Sequence, residues 1–383
     1  MSRTDVNRDA TSPFNASSQG DIILRSADNV DFHVLKAFLA YSSSVFNDMF
    51  AMPLPKQSDS DQATKDGKPV VDLTESSIIL HLFLSFCYPD TQPENLSLEE
   101  IVDLMEAVKK YGADRIEKQL CKKLLVTPTI IEDPLRLFAI AFHFRWDEIG
   151  RLAAKNTLSI PRNSLKFSQD LRFLSGIEMF RLGLYRQACA EAIKTWAQDP
   201  ENRILNNDGS RFEVWWSNTG HAKECGGTKM ASPMSRSSWS SFTTFQPIWW
   251  TRYQAALLLC LQECPRGVTV LEDRASNTDF RTALNCPVCS GSKAHQQMME
   301  YQTKLAAAVE VVISNVSKLF WTAAGRQCVD WVLNVCLGRT GSRFQVKMVY
   351  FPKIFLSWRF LAQHILYWNL TIAGEPFDLT SEI

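Results

Sequence analysis

The chain carries no excess charge of either sign: 41 lysines and arginines balance 41 aspartates and glutamates. Without a basic surplus there is no electrostatic term to hold a polyanion, so nucleic acid is not expected as a partner. No uninterrupted apolar run is long enough to span a bilayer. The nearest approach, Phe344 to Leu370, is broken by Lys347, Lys353 and Arg359, and charges are costly at mid-membrane. The segment Met1 to Ser18 has no apolar centre, which excludes a secretory signal, and its Ser, Thr, Asn and Asp content reads as a disordered leader. Catalytic signatures are missing too. There is no Gly-x-Ser-x-Gly elbow, His-Glu-x-x-His pair or dinucleotide fingerprint, and Gly338-Arg339-Thr340-Gly341-Ser342 lacks the Lys-Ser/Thr ending of a phosphate loop. These absences predict an intracellular protein, cytoplasmic or nuclear, with no membrane contact and no enzymatic activity.

What is present is ordinary globular material: 383 residues, 45% hydrophobic and 21% charged, enough for two or more domains with cores of their own. Residues 19–126 read as one α+β unit. Ile22, Ile23 and Leu24 make a short strand, Asp28-Asn29 a turn, and Val30 to Val34 a second strand. Leu35, Phe38, Leu39, Val45, Phe46, Met49 and Phe50 then recur at helical spacing, with Ser42 to Ser44 breaking the pattern and able to cap a second helix. Ala51 to Pro69 reads as a polar loop. Val70 to Leu73 restores a strand, and Thr74 is expected to cap the helix bearing Ile78, Ile79, Leu82, Phe83 and Phe86. Leu98, Ile101, Val102, Met105 and Val108 form a further stripe, and a last helix runs from about Asp114 to Val126.

Asp21-Ile22, Phe32-His33, Leu39, Ser44, Phe46, Met49-Phe50, Asp72-Leu73, Tyr88 and Lys110-Tyr111-Gly112-Ala113-Asp114 stand in an order and spacing that resembles a BTB/POZ domain. The resemblance implies a short sheet flanked by helical hairpins and a role in binding protein, including a second copy of itself. It also implies that Asp21 and Lys36 form a charged pocket at a subunit interface, with His33, Phe46, Met49 and Phe50 at the partner-binding surface. A local reading stays open beside it, in which Asp21 begins a strand, His33 hydrogen-bonds nearby and Lys36 is solvated.

Residues 127–200 read as helices: Pro134 to Phe144, started by Asp133, then Trp146 to about Leu158, Leu171 to Phe180, and Leu182 to Ala197. Pro134 to Ala141, Trp146, Ala153-Ala154, Leu158, Leu174-Ser175-Gly176 and Tyr185 to Cys189 resemble the helical extension that follows the BTB domain in a large fungal group. Related animal adaptors use such helices to dock a cullin-type ubiquitin-ligase scaffold, so a substrate-adaptor role is the alternative function that the resemblance implies.

Residues 201–248 read as an irregular Ser/Gly-rich loop and 249–316 as a helical hairpin around Cys286-Pro287-Val288-Cys289. Two thiolates two residues apart can bite one zinc ion; Cys264, Cys286, Cys289 and His295 are the candidate ligands, with Cys260 in reserve. The competing reading has these thiols packed or reduced in a turn, with no cofactor at all. The segment 317–383, crowded with Trp321, Trp331, Phe351, Trp358, Phe360 and Trp368, shows little regular amphipathicity, and no function is assigned to it.

Overall fold

The computed structural model describes residues 7–52, 63–89, 91–126, 129–198, 228–229, 245–272, 283, 285–287, 289–290 and 294–321. Most of the loop 201–248 and the tail from residue 322, with its glycine-bearing stretch and aromatics, lie outside the described residues. The chain divides into two compact units, Met1–Gly150 and Arg151–Ile383. Among the described residues no helix is long and apolar enough to cross a membrane.

The first unit is α+β. Its sheet has the order β1-β3-β2-β5-β4, with β1 Arg8–Asp9, β2 Ile22–Arg25, β3 Val30–Val34, β4 Thr64–Lys65 and β5 Lys68–Asp72. β2 and β3 form the antiparallel hairpin expected from the two apolar runs, Ile23 opposite His33 and Leu24 opposite Phe32. Its turn places Asn29 at φ 58°, a left-handed conformation that asparagine tolerates. β5 joins β2 in parallel with Ile23 opposite Val70. Ile22, Ile23 and Leu24 are all buried, which is why β2 reads as a continuous apolar run, whereas β3 buries Asp31 and His33 between Val30, Phe32 and Val34.

Two parts of this sheet depart from the sequence reading. From residue 7 onward the expected disordered leader is built into the fold: β1 pairs in parallel with β3, and Phe14 is fully buried, its ring 5.2 Å from both His81 and Tyr88. One buried phenylalanine contributes about 2 kcal/mol, a local anchor that averaged composition hides. The polar loop 51–69 also ends in order. β4 and β5 form a hairpin around Asp66-Gly67, at φ 54° and 74°, the Asp-Gly pair suited to a two-residue turn.

The helices of this unit are α1 Lys36–Ser42, α2 Ser44–Ala51, α3 Ser77–Cys87, α4 Leu98–Lys110, α5 Asp114–Leu124, α6 Thr129–Glu132 and α7 Pro134–His143, with α8 Asp147–Thr157 beginning in it. Ser43 caps α2 by accepting the Phe46 amide. Ser97 and Glu100 form a reciprocal capping box on α4, and Asp133 caps α7 with Pro134 in its first turn, each as the residue types predict. The cap of α3 is Ser76 rather than Thr74. Leu73 still donates to Arg25 as a strand extension, so helical geometry starts later, and Asp28 accepts the Ser77 amide at 2.7 Å.

Over its described residues the second unit is mostly helical, with one short antiparallel ladder between β6 Thr228–Lys229 and β7 Phe245–Gln246. Besides the end of α8 it holds α9 Gly176–Gln198, α10 Ile248–Glu263, α11 Gly267–Leu271 and α12 Ala294–Phe320. The two helices expected over 171–180 and 182–197 are instead a 3-10 turn, Gln169–Phe173, followed by the single helix α9. Gly183 costs about 1 kcal/mol relative to alanine, too little to break a helix that buries Leu182, Leu184, Tyr185, Cys189 and Ile193. α12 continues past Val316, where Ser317 meets the Tyr185 hydroxyl at 2.5 Å and Phe320 packs on the same ring at 5.3 Å. Glu310 of α12 accepts from Lys155 at 2.7 Å, Arg266 at 2.8 Å and the Gly267 amide at 2.9 Å. α11 crosses α12 so closely that a Cβ on Gly267 would lie 2.6 Å from the Ala306 carbonyl oxygen. Buried Arg186 donates to the carbonyls of Thr157 and Ile160, a cation placed at the C-terminal end of α8, where the helix dipole favours it.

Candidate interaction surface

The residues expected to meet a partner fall into two groups. Asp21, Lys36, Met49 and Phe50 reach the surface, whereas His33 and Phe46 are 2% and 1% exposed. Phe46 stacks on Tyr111 at 4.9 Å and packs against Phe83 at 6.3 Å, so it belongs to the core and cannot itself line an interface. His33 Nε2 lies 3.4 Å from the Asp9 carboxylate, while its Nδ1 has no hydrogen-bond partner among the described residues. For His33 the local reading describes the geometry.

Asp21 and Lys36 are brought together through the backbone. The Asp21 carboxylate accepts the Lys36 amide at 2.8 Å, and the Tyr88 hydroxyl accepts the Leu35 amide at 2.7 Å. Leu35, the residue before α1, offers no side-chain cap, so these two groups satisfy donors that the start of any helix leaves open. The Lys36 ammonium stands 5.8 Å from the Phe50 ring centre, within reach of a cation–π contact, and Phe50 stacks on Phe46 at 6.0 Å.

Around them the α1–α2 hairpin exposes apolar side chains: Tyr41 at 68%, Val45 at 44% and Met52 at 66%. The Arg115 guanidinium covers one side of Tyr41 at 4.4 Å. The hairpin is held from behind by the α4–α5 turn. Ser43 donates to the Tyr111 carbonyl at 2.6 Å, and Ser44 donates its amide to Gly112 at 3.3 Å. Gly112 has φ +59°, and a Cβ there would run into the Ser44 hydroxyl. Glycine in the Lys110 to Asp114 run is thus needed for both the left-handed helix end and the close approach of α2.

A charge network on β2, β3 and β4 was not anticipated. Asp31 is fully buried and accepts from Arg25 at 2.7 and 3.2 Å and from Lys65 at 2.8 Å. Lys65 also reaches Asp9 at 3.0 Å, tying β1 to β4. Burial would push the Asp31 carboxyl up, but the hydrogen bonds from Arg25 and Lys65 hold it below the usual range. The signal in the sequence was Asp31 set between Val30 and Phe32. Its partner is legible only through the register that puts Arg25 directly opposite.

Of the four candidate metal ligands, Cys264, Cys286 and Cys289 are buried and His295 is exposed at the first turn of α12. Among the described residues no group of three or more His, Cys, Asp or Glu is placed to hold a metal ion. Cys289 accepts the indole N–H of Trp249 at 3.4 Å. Burial pushes the Cys87 and Cys189 thiols up to about 12, far from the thiolate that nucleophilic chemistry requires.

Comparison with curated proteins finds no match. Residues 12–127 match the family model of the BTB/POZ domain, a span containing the hairpin, the mixed sheet beyond β1 and helices α1 to α5. The likeness carried by Asp21-Ile22, Phe32-His33 and the Lys110 to Asp114 turn therefore extends over that span: residues 12–127, under a third of the chain, match a BTB/POZ domain, a kind of protein–protein interaction module.

Proposed function

We propose that the chain self-associates through the α1–α2 face of its BTB/POZ domain and presents its helical second unit to another protein. The observation that carries the proposal is the gathering of exposed Tyr41, Val45 and Met52 beside half-buried Met49 and Phe50 on one hairpin. Apolar and aromatic side chains grouped on adjoining elements are the material of interface cores, where desolvation supplies the affinity. Asp21 contributes by fixing the start of α1, which sets where Lys36 stands over Phe50. The protein acts by binding and not by catalysis.

Light scattering on the full chain at about 100 µM, a level at which weak dimers form, tests this directly. A dimer is expected for the native protein, and Val45→Asp should shift it toward monomer while leaving the thermal transition in place. A strict monomer in the native protein sinks the proposal. The substrate-adaptor role for a cullin-type ubiquitin ligase is the alternative; pull-down of the cullin scaffold by a protein that stays monomeric would favour it, and no association at micromolar concentration would remove it.

A further inference from the structure

A second surface of the first unit lies between the start of α3 and the exposed side of α4. It is an open cleft of about 350 Å³ whose lining combines aliphatic Ile79 and Ala107 with the carboxylates of Glu75, Asp103 and Glu106 and one cation, Lys110. That cation is already engaged: Lys110 Nζ donates to Glu75 at 2.7 Å and to Thr74 at 2.6 Å. The other Glu75 oxygen accepts the Tyr111 hydroxyl, so this carboxylate is satisfied from within the fold. Glu106 faces His143 Nε2 at 3.1 Å. Glu99, one turn before Asp103, is taken by Arg136 at 2.8 Å. Asp103 is exposed and, among the described residues, has no ion-pair or hydrogen-bond partner. Ile78, which precedes the lining residue Ile79 at the start of α3, is not itself in the lining and is 65% exposed.

We propose that this cleft docks a short segment of another protein carrying an arginine or lysine next to an aliphatic residue. The cation meets Asp103 and Glu106, which lie three residues apart on α4 and so share one helix face. The aliphatic side chain covers Ile78 and Ile79. Three carboxylates against a single, internally paired ammonium give the cleft a negative field that selects a cation. A bare metal ion is not the occupant that the chemistry favours, because no group of three donors is assembled there among the described residues. A polyamine would satisfy the charge and leave Ile78 in water, whereas a peptide covers both. None of Tyr41, Val45 and Met52 lines the cleft, so the surface is separate from the proposed self-association face.

The test is fluorescence polarisation with the full chain and two labelled peptides, Gly-Ser-Arg-Leu-Arg-Leu-Gly-Ser and its Glu-Leu-Glu-Leu counterpart. The basic peptide is expected to bind with a dissociation constant of about 100 µM, reasonable for a contact of a few residues, and the acidic peptide to bind at least tenfold more weakly. Asp103→Lys should weaken the basic peptide by about tenfold, as reversing an exposed partner charge does, and Ile78→Ser by about threefold. Glu94→Lys, an exposed carboxylate outside the cleft, should leave the affinity unchanged. No saturable binding up to about 1 mM, equal binding of both peptides, or equal losses for Asp103→Lys and Glu94→Lys would each overturn the proposal. Light scattering on the same samples reads self-association independently, so failure of one surface is distinguishable from failure of the other.

Discussion

Replacing Asp31 by asparagine removes the charge at the centre of a buried ionic network in the first unit. The Asp31 side chain is 0% exposed and receives two donors from Arg25 and one from Lys65. Breaking a buried pair from one side costs about 3–5 kcal/mol, because the remaining charge stays desolvated. Here the remaining charges are not sealed in: the Arg25 and Lys65 side chains are 18% and 33% exposed, and Lys65 keeps Asp9. Both cations can rehydrate in part, so a loss at the lower bound, about 3 kcal/mol, is expected. A two-unit chain need not unfold in one step, which calls for a readout confined to the first unit. Cys87 supplies it, being 6% exposed with a thiol pushed up to about 12 by burial. Pulsed thiol labelling across a urea series, with Cys87 quantified by peptide mass spectrometry, should show its protection lost at a clearly lower urea concentration in Asp31→Asn, while Cys189 in the second unit is unaffected. The pH dependence has a definite sign. The folded Asp31 carboxyl is held below its ordinary value of 3.8, so its stabilisation is present above that value and lost as pH falls through the folded pKa. A change of less than about 1 kcal/mol in Asp31→Asn would refute the argument, since it would mean that the carboxylate is solvated and its ion pairs behave like surface ones.

Phe14→Ala should destabilise the first unit by about 3 kcal/mol, read by the same Cys87 labelling; no change would show that residues 7–18 are not part of the fold. Glu310→Gln should weaken the second unit by about 1–2 kcal/mol, discounted because the side chain is 32% exposed, and Cys189 labelling reports it. Burial opposes ionisation of Glu310, yet Lys155, Arg266 and the Gly267 amide bring its carboxyl down to about 2. Its contribution is therefore full above pH 4.5, declines as pH falls toward 2, and disappears from the titration in the variant. Metal analysis of the purified chain is expected to find well under one zinc per chain; stoichiometric zinc that vanishes in Cys286→Ser would overturn the reading of these cysteines as packed thiols.

The interaction surface was legible in part. Ser43, Ser97 and Asp133 announce their helices because capping is local, settled within three residues. Phe46, Met49 and Phe50 share one helical stripe in the sequence, and nothing local says which of them points inward. Phe46 is core because Tyr111 and Phe83 arrive from α4 and α3 to cover it. Asp21 reads as the start of a strand, and its job at the head of α1 depends on a contact fifteen residues away. The cleft holding Asp103 is further still from the sequence, since Glu75 and Lys110 meet only when α3 packs on α4.

What the sequence determined by itself is the set of elements in the first unit and the identity of its domain, since periodicity, caps and turn residues act over short spans and stand in a diagnostic order. The tertiary structure decided which leader residues fold, where Asp31 finds its counter-ions, and which side chains of α1, α2 and α4 remain uncovered. Those outcomes rest on strand register and on burial by distant elements, and neither is encoded within a window of neighbouring residues.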